Sequence, residues 1–65
     1  MSSADKNRII LALCKALSRV IRRSGIFSED LAQSLSVMDT SAENGYVRLD
    51  AIDFVLFDLN KVLNE

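Results

Sequence analysis

Proline is absent from this 65-residue chain, and glycine occurs only at positions 25 and 45. Those two residue types are the strongest local breakers of regular structure. Three long stretches are therefore left free to follow their hydrophobic periodicity, and in each the period is helical. From Ser3 to Ser24 the residues Ile9, Ile10, Leu13, Cys14, Leu17, Val20 and Ile21 recur at three- and four-residue spacing. At 100° per residue they cover one face of a helix, with Ala16 at its edge. Leu11 falls outside that stripe. Ser3 reads as the N-cap, Asp5 suits the positive end of the helix dipole, and Arg22 and Arg23 suit its negative end. Gly25 then reads as the left-handed residue that stops the helix.

A second, shorter helix is expected after Ser28, its candidate N-cap, with Glu29 and Asp30 in the first turn and Phe27 as a hydrophobic staple. Leu31, Leu35 and Met38 make its stripe, widened by Ala32 and Val37, and it is expected to end near Met38 or Asp39. Asp39–Gly45 is polar and turn-rich. Asn44-Gly45 is a turn dipeptide that would also suit a hairpin, with Tyr46–Leu49 as one strand, although no second strand is in evidence. Asp50 reads as the N-cap of a third helix running from about Ala51 to Leu63. Ile52, Val55, Leu56, Leu59, Val62 and Leu63 form its apolar side, and Phe57 projects among its polar residues. The expected fold is a single all-α domain of three helices over residues 1–65, a long amphipathic helix with a helical hairpin against it.

Composition narrows the function. The chain has no histidine and one cysteine. Nucleophilic or acid–base catalysis through histidine is excluded, as are an internal disulfide framework and a Cys/His zinc site. Cys14 lies on the apolar stripe and reads as a small buried hydrophobe. Asp50 and Asp53 read as capping residues rather than a catalytic pair. The chain is expected to be no enzyme and to need no cofactor. No apolar run reaches the ~20 residues of a membrane span, and no signal-peptide pattern precedes the first helix. A lone cysteine fits a reducing compartment, so the expected location is cytoplasmic.

Hydrophobic residues make up 49% of the sequence. A domain of this size buries only ~60% of the surface its unfolded chain exposes, and small domains often gain stability from a disulfide, a metal or a second subunit. The surplus therefore points to a tight core, a dimer, or both. Charge is polarised as well. Residues 1–26 carry Lys6, Arg8, Lys15, Arg19, Arg22 and Arg23 against Asp5 alone, a net +5, while residues 27–65 carry a net −6. The halves can attract each other within a chain or across a dimer. The cationic face formed by Arg8, Lys15, Arg19, Arg22 and Arg23 can also meet an acidic protein, an anionic membrane or nucleic acid. Nucleic acid is less favoured than an acidic protein surface, since the chain is acidic overall and no aromatic residues interleave the basic ones, and a membrane is less favoured still.

The segment Asp39-Thr-Ser-Ala-Glu-Asn-Gly45-Tyr-Val47-Arg-Leu-Asp50-Ala-Ile resembles an EF-hand loop. It opens on Asp, carries a turn glycine, and has an apolar residue two positions later. The resemblance covers residues 29–64 and implies a helix-loop-helix. It departs from the family by one residue inserted between Asp39 and Gly45, and by Ala51 where the bidentate Glu closes the loop. Without that Glu a calcium ion lacks two of its ligands, so no metal site is expected and the segment reads as a turn leading into a capped helix.

These observations point to a small interaction protein, a regulator or adaptor that binds a larger protein or itself through an apolar helical surface. Aromatic residues dominate interface hot spots. The expected anchors are therefore Phe57 with Phe54, Leu11 and Tyr46, steered by the basic face. Nucleic-acid binding through that face is the alternative.

Overall fold

A computed structural model describes residues 2–65. Three helices follow one another: α1 (Ser3–Ser24), α2 (Glu29–Glu43) and α3 (Leu49–Leu63). No strand occurs among the described residues, so the hairpin alternative at Tyr46–Leu49 is not what the chain forms.

Local chemistry sets most boundaries. Ser2, one residue earlier than expected, caps α1: its Oγ accepts the Asp5 N–H at 3.2 Å. Arg8 donates to the Asp5 carboxylate at 2.7 Å, and this bond first, then hydrogen bonds from Ser2 to the carboxylate, hold the Asp5 carboxyl below its ordinary value. Gly25 ends the helix at φ 78°, a left-handed conformation that costs a residue with a Cβ roughly 1–2 kcal/mol. Ser28 caps α2 as expected, accepting the Leu31 N–H at 3.1 Å.

Two boundaries depart from expectation. Helix α2 runs to Glu43, a full turn past Asp39, because nothing in Thr40–Glu43 breaks a helix and Asp39 and Ala42 are both engaged by the rest of the fold. It closes at Asn44-Gly45 in a Schellman motif, with Tyr46 N–H donating to the Ser41 carbonyl and Gly45 N–H to that of Ala42. Helix α3 begins at Leu49, so Asp50 lies in the first turn and is not the cap. Arg48 occupies the cap position without a side-chain cap bond, and its guanidinium pairs with Asp50 at 3.3 Å. An acidic residue is favoured at either place by the helix dipole, so its presence alone does not fix the register.

Helix α2 packs against both of its neighbours, whereas contact between α1 and α3 is slight. The core comprises Cys14 and Ile21 from α1, Leu31, Leu35 and Met38 from α2, Val47 from the second connection, and Ile52 and Val55 from α3. Polar side chains lock each pairing. Ser18, buried on α1, donates from Oγ to Asp39 on α2 at 3.1 Å, and Arg22 donates to the same carboxylate at 2.7 Å and to Ser18 Oγ at 3.2 Å. On the other flank of α2, Ser34 hydrogen-bonds Asp58 and Asp30 faces Lys61 at 3.9 Å. These pairings make α2 antiparallel to both neighbours, so α1 and α3 run the same way. No helix of the described residues is long and apolar enough to cross a membrane.

The α1 stripe is also rotated from its expected position. Its buried line is Cys14, Ser18 and Ile21, supported by half-buried Ile10, Leu11 and Leu17. Ile9, Leu13 and Val20 stay exposed. This rotation buries Ser18, whose hydroxyl is satisfied by Asp39 on α2 and by Arg22 one turn along α1.

Candidate interaction surface

Exposed large apolar side chains are the most prominent surface feature of the described residues. Among the described residues no group of three or more His, Cys, Asp or Glu side chains is placed to hold a metal ion. Asp39, the first residue of the EF-hand-like segment, lies within α2 with its carboxylate occupied by Ser18 and Arg22. The Cys14 thiol is buried and unpaired. Burial, reinforced by the nearby negative charge of Asp39, raises its pKa and keeps it in the inert thiol form.

That shift has a consequence for stability. In the unfolded chain the thiol ionises above about pH 8.5, whereas the folded protein resists its ionisation. The unfolded state therefore binds fewer protons over this range, and stability falls as pH rises through it. Urea midpoints at pH 7.5 and 9.5 are expected to separate more for the wild type than for Cys14→Ala. Equal separation would show that the thiol makes no such contribution.

Phe54 and Phe57 stand one turn apart on the outer side of α3 and are 63% and 66% exposed. They form a shallow apolar trough with Asp50 and Asp53 as its other walls. Phe54 continues it across to α2, where it shares a second depression with Val37, Gln33, Ser34 and Ala51. Asp50 continues it the other way, to a depression lined by Tyr46, Arg48 and Leu49. Three of the four expected anchors, Tyr46, Phe54 and Phe57, thus lie along one connected surface with an acidic margin. Leu11 does not join them. It packs against the core from α1, because the rotation of that helix brings its supposedly off-stripe position to the α2 side. Val37 and Leu49 belong to the surface and were not singled out from sequence. Val37 was assigned to the core stripe, and its exposure is set by the α2–α3 crossing, which no local signal encodes.

The cationic face of α1 is partly committed within the chain. Arg8 pairs with Asp5 and Arg22 with Asp39. Lys15, Arg19 and Arg23 make no ion pair among the described residues.

Comparison with protein-family models, with curated proteins and with solved structures found no match.

Proposed function

We propose that this protein is a small non-enzymatic interaction module, a regulator or adaptor that docks on a larger protein through the Tyr46–Phe54–Phe57 surface. The observation that carries this reading is the pair of exposed phenylalanines in an apolar trough walled by Asp50 and Asp53. Two aromatic rings held in water on a rigid helix lose little side-chain entropy on docking and gain the full desolvation of their faces. The acidic margin favours a partner whose apolar anchor is flanked by Lys or Arg, and disfavours acidic competitors.

Phe57→Ser is the decisive variant. Phe57 is mostly exposed, so the fold is expected to hold within about 0.5 kcal/mol. Loss of an interface anchor typically costs ~2 kcal/mol or more of binding, a roughly thirtyfold or larger fall in affinity. Affinity isolation from the native cells, wild type beside variant, is expected to lose its partner with Phe57→Ser while far-UV circular dichroism is unchanged. Equal recovery by both chains would overturn the proposal.

The unpaired cations Lys15, Arg19 and Arg23 support a second reading, contact with nucleic-acid phosphates along α1. It requires binding that weakens steeply with salt, and a flat gel-shift titration at low ionic strength would dismiss it.

A further inference from the structure

A second apolar surface lies on the opposite side of the bundle from α2. Around α1, the residues that face α2 (Ser18, Arg22) give way to the core line and then to Leu17 and Ile10, and beyond these to exposed Ile9, Leu13 and Val20. Around α3, the residues that face α2 (Asp58, Lys61) give way to Val55 and Ile52, then to Leu59, and beyond it to exposed Leu49, Leu56 and Leu63. Since α1 and α3 run parallel and the two progressions turn in opposite senses, both stripes emerge side by side on the face that α2 leaves uncovered. Leu49, Leu56 and Leu63 are seven residues apart, as are Leu13 and Val20. That spacing suits packing against further helices.

The edges of this face carry opposite charge. Turning outward past the α1 stripe, the charged side chains in the C-terminal half of the helix are Arg23 and Arg19; at its N-terminal end Lys6 continues the stripe and Asp5, on the same edge as Arg23, is paired with Arg8. Turning outward past the α3 stripe, the next charged side chain is Asp53. A partner that covers the whole face must offer apolar helices with an acidic edge opposite α1 and a basic edge opposite α3. This chain presents that pattern itself.

We propose that the α1–α3 face is the seat of a second copy of this chain, in a symmetric dimer whose two-fold axis runs along the bundle. Rotation about that axis sets α1 of each protomer over α3 of its partner, so that Arg19 and Arg23 meet the acidic edge and the leucine stripes bury each other. The other face-to-face two-fold, perpendicular to the helices, would set α1 on α1 and bring like charges together. An isologous contact of this kind closes on itself and leaves no unsatisfied copy of the patch. It also leaves the Phe54–Phe57 trough at the flank of each protomer open, so a dimer would present two docking troughs. The dimer shares Asp53 and Leu49 with the proposed docking surface but makes no use of Tyr46, Phe54 or Phe57, so Phe57→Ser separates the two readings.

The test is reciprocal charge reversal, read as solution mass by sedimentation equilibrium at low salt. Wild type is expected at twice its 7.2 kDa chain mass. Arg19→Glu with Arg23→Glu in one chain, and Asp53→Lys in another, are each expected to weaken the dimer at least tenfold. Their equimolar mixture is expected to regain it, since both α1–α3 contacts of the mixed dimer are again of opposite charge. Recovery on mixing would also show that both variants fold. Leu56→Asp is expected to give a monomer with unchanged circular dichroism, and Phe57→Ser to remain dimeric. A monomeric wild type at 100-fold the low-micromolar range would overturn the proposal. So would persistent dimers of both charge variants, or a wild type that is monomeric in solution and sediments with phosphatidylserine-containing vesicles, which would assign the face to a membrane.

Discussion

Met38→Ala is expected to leave the protein largely unfolded at 37 °C. Met38 is completely buried at the centre of α2, among core residues drawn from all three helices. Truncating such a side chain removes its transfer free energy and leaves a cavity, together about 2–5 kcal/mol. A domain of this size rarely has more than ~3–5 kcal/mol of net stability, so a single cavity consumes most of it. The same truncation one position earlier, Val37→Ala, falls on an exposed side chain and is expected within about 0.5 kcal/mol of wild type. Urea denaturation followed by circular dichroism reads both. A Met38→Ala midpoint within ~1 kcal/mol of wild type would mean that the three helices do not share the core described above.

Val47→Asp is expected to be as damaging, although Val47 sits in a five-residue connection where substitutions are commonly tolerated. It is 2% exposed, whereas its neighbour Tyr46 is 68% exposed. The connection uses Val47 as an anchor that turns inward between the Schellman closure of α2 and the first turn of α3. A carboxylate there must either desolvate or pull the connection out of the core, and either costs several kcal/mol. Tyr46→Ser is expected to leave stability unchanged within ~0.5 kcal/mol. Thermal melts of the two variants should differ by well over 10 °C, given that 1 kcal/mol shifts the midpoint of so small a domain by roughly 4–8 °C. Similar melts would show that Val47 does not anchor the connection.

The two proposed surfaces take up most of the exposed hydrophobic residues, with Leu49 at their border and Phe27 outside both. The outer flank of α3 carries the aromatic pair with its acidic walls, suited to a foreign partner with basic flanks. The α1–α3 face carries the aliphatic stripes and the opposed charged edges, suited to a copy of the chain. The polarisation of charge along the sequence is accounted for in part within one chain, since Arg22 reaches Asp39 and Lys61 approaches Asp30. The remainder is free to act between molecules.

What the sequence determined by itself is what depends on neighbours within a turn or two of helix. The absence of proline, the positions of Gly25 and Gly45, the Ser28 cap and the three- and four-residue spacing of apolar residues were enough for three helices and for the limits of α1. The aromatic residues Tyr46, Phe54 and Phe57 could likewise be singled out, because Phe57 stands off the apolar side of its own helix. Tertiary structure decided how each helix is rotated about its axis. The α1 face contains more apolar residues than one neighbour can cover, and periodicity cannot say which of them are surplus. In the rotation adopted, Ser18 and Arg22 engage Asp39, twenty-one and seventeen residues away. The same rotation packs Leu11 against the core and leaves Leu13 and Val20 in water. The extension of α2 to Glu43 and the burial of Val47 have the same origin. Both follow from contacts between elements, whose partners lie too far apart along the chain to leave a local pattern.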